Sequence, residues 1–324
     1  MHWTAPSRRL CPLNDVPAGQ SPPVGLSSPV EDVSALRKPQ LPCWLWLNVL
    51  GLDAPLVAVA WQFFFAEAFQ LNIPASNYLV LGLIVWVIYS ADRLLDARRL
   101  GAPENACARH RFYRDRFRIM LPLTVIGFML AVVAVLMVLP ETLLHCGAVV
   151  FVFVIVYFIH RLWVEGPMLV VVPKEIFSGM VFAIGTTLTG YAWSNDIPDA
   201  LYSPEVLWFG GLCSLNCMAI SVWERNADAG NDGNALPQIF PVVVRFFPAL
   251  AWGFTATVAV FAFMQAEHVM FPVFLAVATG GGLLAFLASA ASRISPVLLR
   301  VAADIAVILP ALVYLPLLPW DSTI

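Results

Sequence analysis

The sequence predicts an all-α, polytopic membrane protein of about nine transmembrane helices, and three observations carry that expectation. Hydrophobic residues make up 60% of the 324 positions and charged residues only 12%. With a mean hydropathy of +0.79, the chain is far more apolar than a soluble domain. Apolar stretches near the roughly 20 residues needed to cross hydrocarbon recur along most of the chain, joined by short polar links. Strand-like alternation is absent, which argues against a barrel and leaves helices as the way to satisfy the backbone in lipid.

Residues 1–40 are rich in Pro, Ser and Gly and lack the apolar core of a signal peptide. They are expected to form a disordered cytoplasmic tail. Residues 41–324 read as a single membrane domain, because no link is long enough to hold a second soluble one. Spans are expected at about 44–68, 75–93, 117–139, 142–163, 168–193, 205–224, 240–264, 269–291 and 297–318, with kinks at Pro173, Pro248 and Pro310.

The distribution of charge tests that count independently. With the amino terminus inside, the inner links are 94–116, 164–167, 225–239 and 292–296, and the first alone holds Arg98, Arg99, Arg109, Arg111, Arg114 and Arg116. The outer links, near 69–74, 140–141, 194–204 and 265–268, contain no Lys or Arg. This is the positive-inside pattern. The net charge of -3 is too small to imply a charged macromolecular partner, and no basic cluster is interleaved with aromatics, so nucleic acid is not expected. The lipid bilayer is the expected partner. The six cysteines show no CxxC spacing. Cys213 and Cys217 read as small buried thiols, and no further ligands complete a metal site with Cys107 and His110.

Two stretches carry the functional signal. In VIYSADRLLDARR, an apolar run ends on Asp92, Arg93 and Asp96, and in SVWERNAD another ends on Glu224, Arg225 and Asp228. Residues four apart share a helical face, so each stretch sets two carboxylates side by side at the edge of an apolar medium. Like charges so placed are destabilising and call for a cation. In the inside-first topology both pairs end even-numbered spans and face the cytoplasm together. Two readings stay open from spacing alone. Either the four carboxylates hold a hard divalent cation such as Mg2+, with a substrate phosphate completing its shell, or each pair caps a helix end with Arg93 and Arg225 as partners.

Lys174, in VVVPKEIFSG, stands within an apolar run beside Glu175. A lysine embedded in a membrane points to an anion or an internal ion pair, and snorkelling or pairing with Glu175 is the structural alternative. Asn48, Asp53, Asn216 and Asp304 are further polar residues within apolar spans, suited to lining a cavity or to helix packing.

Taken together, these features resemble the UbiA prenyltransferase superfamily, whose members are intramembrane enzymes of nine helices around a central cavity. They carry an NDxxDxxxD motif after the second helix and a DxxxD-like motif after the sixth. ADRLLD supplies Asp92, Arg93 and Asp96 of the first motif, and WERNAD supplies Glu224, Arg225 and Asp228 in the second. The resemblance spans about 44–318 and is that of a divergent member. Ile88 and Tyr89 fall where the leading Asn and Asp stand, Glu224 replaces the usual Asp, and Val170 falls where a tyrosine is common.

The resemblance implies Mg2+-dependent transfer of an isoprenoid group from a prenyl diphosphate to an acceptor. Asp92, Asp96, Glu224 and Asp228 would hold Mg2+, and Lys174, Arg93 and Arg225 would bind the diphosphate. The alternative is a non-enzymatic transporter or a lipid- or ion-binding membrane protein that keeps the fold.

Overall fold

The computed structural model describes residues 42–99, 108–163, 173–194, 202–225 and 236–318. The contacts below lie within the compact unit Leu41–Ile324. Among the described residues the secondary structure is helical, with no strand. Among the described residues, eight helices are long and apolar enough to cross a membrane, which makes the chain an integral multi-pass membrane protein.

A 3-10 turn at Cys43–Leu45 leads into α1 (Trp46–Val49), α2 (Asp53–Ala68), α3 (Ala75–Arg99), α4 (Ala108–Asp115), α5 (Phe117–Val138), α6 (Glu141–Trp163) and α7 (Lys174–Ser194). Then come α8 (Pro204–Trp223), the single turn α9 (Leu236–Ile239), α10 (Val242–Met264), α11 (Phe271–Ala290) and α12 (Pro296–Tyr314). Most later spans start and stop close to where hydropathy places them, but α3 runs on to Arg99, past the expected end at 93, and the expected start of the fifth span at 168 lies outside the described residues. The first span also departs. The expected helix over 44–68 is interrupted after Val49, and α2, at 16 residues, is about 24 Å long, short of a full crossing.

The interruption has a backbone cause. Gly51 has φ of +71°, a left-handed conformation that costs a residue bearing a Cβ about 1–2 kcal/mol. The break frees the Leu50 carbonyl, which accepts hydrogen bonds from Trp86 Nε1 at 3.2 Å and from the Tyr113 hydroxyl at 3.4 Å. An orphan carbonyl in an apolar medium needs such donors. Tyr113, fully buried, thereby fastens α4 to the start of the bundle.

Two of the three prolines singled out from the sequence lie inside helices and the third does not. Pro248 and Pro310 lie inside α10 and α12, as does Pro122 inside α5. Pro173 instead precedes α7, and its carbonyl accepts from Ile176 N and Phe177 N, both at 3.0 Å. Helix α7 therefore starts at Lys174, rather than carrying Pro173 as an internal kink.

Between helices in lipid there is little hydrophobic driving force, so close packing and interhelical hydrogen bonds hold the bundle. The centre is aromatic. Trp61 stacks on Phe209 with ring centroids 4.2 Å apart, and its indole N–H donates to the Val307 carbonyl at 2.9 Å, which joins α2, α8 and α12. Helices α7 and α8 approach most closely at Gly179, where an added Cβ would fall 2.4 Å from the Ser214 backbone nitrogen. Helix α11 is the most buried span and α6 the least, with large apolar side chains such as Val152 and Ile159 left for lipid.

The glycine break yields a testable contrast. Gly51→Ala should lower thermal stability in detergent by about 1–2 kcal/mol. Gly147→Ala, in a helix where an added Cβ meets nothing within 4 Å, should be neutral or stabilising by up to about 1 kcal/mol. Equal melting temperatures for the two variants would show that the left-handed position is not constrained.

Candidate functional site

A cavity of about 220 Å3 opens at one end of the bundle. It is lined from the carboxyl-terminal portions of α3, α6 and α8 and from the amino-terminal portions of α2, α7 and α12. Alternating helix direction explains the gathering. Even spans end, and odd spans begin, on one side.

The cavity brings together Asp92, Arg93, Asp96, Lys174, Asn216, Glu224 and Asp304, all singled out from the sequence. Helix α3 runs on to Arg99, so Asp92 and Asp96 stand one turn apart on a continuous helix. Tyr157 of α6 donates its hydroxyl to Asp92 Oδ1 at 3.1 Å, and its ring lies parallel to Phe177 of α7. Lys174 is the first residue of α7, where the positive end of the helix dipole adds to its own charge.

Glu224 is engaged through both of its oxygens. Arg300 Nη1 donates to Oε1 at 2.8 Å and to Oε2 at 2.9 Å, and Arg109 Nη2 donates to Oε2 at 2.7 Å. All three side chains are largely buried. The expectation that Glu224 serves as a metal ligand meets a different arrangement, in which both of its oxygens are already taken by guanidinium groups. Glu175 is also structural. Its Oε1 accepts from Ser221 Oγ at 2.9 Å and from the Leu236 backbone N–H at 3.0 Å, which ties α7, α8 and α9 together.

Other expected residues sit elsewhere. Asp53 and Asn48 stand behind Arg93 rather than on the cavity wall. Asn48 Nδ2 donates to Asp53 Oδ2 at 2.7 Å, and Arg93 Nη2 lies 3.7 Å from Asp53 Oδ1. Arg225 is not among the residues lining the cavity, and its carbonyl accepts from Gln238 Nε2 at 3.0 Å. Asp228 lies outside the described residues.

Three contributors were not singled out by sequence reasoning. Arg109 enters the sequence analysis only as part of a basic link, and Arg300 and Tyr157 do not enter it. A signal existed for Arg300, because it precedes Asp304 by four residues on the same face of an apolar helix.

A second, mainly apolar cavity of about 160 Å3 adjoins the first between α3, α6 and α7. The two share Tyr89, Asp92, Tyr157, Ser178 and Phe182. The second continues along Ile84, Val150, Val154 and Val181. A charged chamber thus adjoins an apolar one, an arrangement matched to an amphiphile with a polar head.

The fit of a divalent cation can be judged from the donors. Asp92 and Asp96 supply two carboxylates on one helical face, enough for a Mg2+ that shares its shell with a phosphate. Among the described residues, no group of three or more His, Cys, Asp or Glu side chains forms a complete metal cage. Comparison of the chain with family models, curated proteins and solved structures finds no match.

The clamp around Glu224 makes a stability prediction. Glu224→Gln would leave two buried guanidinium groups without their counter-charge and should cost about 3–5 kcal/mol. Asp92→Asn, which keeps an acceptor for Tyr157, should cost much less. Thermal unfolding of both variants tests this, and a Glu224→Gln protein as stable as its parent would remove the clamp from the account of the fold.

Proposed function

We propose that the chain is an intramembrane prenyltransferase that moves an isoprenoid group from its diphosphate to an acceptor, in the manner of the UbiA superfamily that its motifs resemble. The observation that supports this reading is the junction of a charged chamber, holding Asp92, Asp96, Lys174, Arg109 and Arg300, with an apolar chamber of hydrocarbon character. The diphosphate would lie in the first and the prenyl chain in the second.

Charge balance favours a metal-assisted head group. Five carboxylates and four cationic side chains line the charged chamber, so a polyanionic diphosphate entering it brings negative charge that the protein alone does not neutralise. Asp92 and Asp96 would hold Mg2+, which when bound polarises the phosphoryl oxygens and offsets the charge that develops on the leaving group. Lys174 would donate to the diphosphate oxygens. Arg109 and Arg300, two guanidiniums around one carboxylate, keep a net positive charge on the same wall. The bond between the prenyl C1 and oxygen breaks with its electron pair on the diphosphate. An electron pair of the acceptor then forms the new bond to C1, and the acceptor gives up a proton. Apolar walls exclude bulk water from the allylic cation. The basic link 94–116 favours a cytoplasmic position for this end of the bundle.

Purified protein given a prenyl diphosphate, Mg2+ and a membrane lipid extract should release diphosphate and form a prenylated product. Mg2+ with the prenyl diphosphate should also raise the unfolding temperature. Asp92→Asn and Asp96→Asn should each abolish the Mg2+-dependent part of that rise. Lys174→Met should weaken diphosphate binding about tenfold or more, the value of a charge-assisted hydrogen bond. A parent protein indifferent to both ligands would defeat the proposal.

Orientation has its own test. A thiol introduced in 94–116 should resist an impermeant reagent added to intact cells and react after the membrane is opened. Ready labelling from outside would place the charged chamber on the other face.

A further inference from the structure

Arg93 does not behave as part of the cationic mouth. It is 3% exposed, lines the cavity and lies with its guanidinium carbon 5.1 Å from the centre of the Tyr89 ring. Its approach to Asp53, at 3.7 Å, is longer than a hydrogen bond. Among the described residues, Nε, Nη1 and Nη2 are all buried without a hydrogen-bond acceptor. A buried guanidinium with no acceptor is costly, and this one borders open space.

Unused acceptors occur in the same part of the cavity. Asn216 Nδ2 donates to Asp304 Oδ1 at 3.3 Å, and among the described residues no donor reaches the buried Asn216 Oδ1 or Asp304 Oδ2, the Asp304 carboxyl interacting with that of Asp53. Both residues line the cavity. Asp304 lies one turn, about 6 Å, past Arg300 along α12, and Asn216 lies two turns, about 12 Å, back from Glu224 along α8. This is the deep end of the chamber. Its walls include the apolar side chains Ala54, Val57, Phe182 and Val307.

The deep end therefore offers unmet donors, unmet acceptors and apolar walls. A hydroxyl group answers both needs, since it donates one hydrogen and accepts through its lone pairs. A carboxylate head is disfavoured, because the carboxyl groups of Asp53 and Asp304 already interact with each other and with the single guanidinium of Arg93. We propose that Arg93, Asn216 and Asp304 form a binding site for the hydroxyl head of a neutral, otherwise apolar molecule. On the prenyltransferase reading, on which this last assignment rests, that molecule is the acceptor.

Three probes without phosphate test the site separately from the diphosphate chemistry: 4-propylphenol, propylbenzene and 4-propylbenzoate, each titrated calorimetrically into the purified full-length protein. The expected result is binding of 4-propylphenol about tenfold or more tighter than propylbenzene, with 4-propylbenzoate no tighter than propylbenzene. Asp304→Asn and, as a second variant in case the first does not fold, Asn216→Val should each shrink the preference for the phenol at least threefold. Equal binding of phenol and propylbenzene by the parent, tightest binding of the benzoate, or an undiminished preference in a folded variant would each overturn the proposal. If the phenol preference holds but prenyl diphosphate and Mg2+ have no effect on the protein, the hydroxyl site stands and its acceptor role falls.

Discussion

The charged end of this bundle depends on one carboxylate held by two arginines. Glu224 closes α8, Arg300 lies in the first turns of α12 and Arg109 comes from the short helix α4. Each partner alone would be a buried charge in a medium that solvates it poorly. Together they offset part of that cost and fix three distant parts of the chain around one opening. The residual positive charge of this group faces a cavity that also contains Lys174. The interaction that organises the fold at this end thus also sets the electrostatic character of the chamber.

Membrane topology made much of this legible in advance. Spans recur at the length of a bilayer, and basic residues fall on alternate links, so helix direction alternates and chain positions far apart must meet at one end. That logic correctly gathers Asp92, Asp96, Lys174 and Glu224 around one cavity. It also explains why an aspartate pair four residues apart is informative here, since α3 extends unbroken past both.

What stayed hidden depends on contacts that no local pattern encodes. The partner of Glu224 is chosen by the packing of α12 against α8, and Arg300 looks like any charge near a helix end until that packing is known. The break at Gly51 is similarly obscured, because an apolar run containing one glycine still reads as a span. Only the left-handed backbone and the donors Trp86 and Tyr113 converging on the Leu50 carbonyl reveal why the helix stops. Asn48 and Asp53 then fall behind Arg93 instead of on the cavity wall, a consequence of the same break.

The break also bears on the choice between enzyme and transporter. A discontinuous helix midway through a bilayer is a feature of transporters, where it builds an ion or substrate site between two gates. Here the discontinuity lies at the chamber's end of the bundle, since it immediately precedes α2, whose first turns line the chamber through Ala54 and Val57. Beyond the chamber the path meets packed aromatics. Val57 and Val307 are cavity walls, and one turn past Val57 the fully buried Trp61 stacks on Phe209 while donating to the Val307 carbonyl. Moving a polar solute past this point would require separating the stack and stranding a buried indole N–H and a carbonyl. A cavity open at its charged end, closed at its aromatic floor and adjoined by an apolar chamber is better suited to holding an amphiphile while its head group reacts than to passing a solute across the membrane.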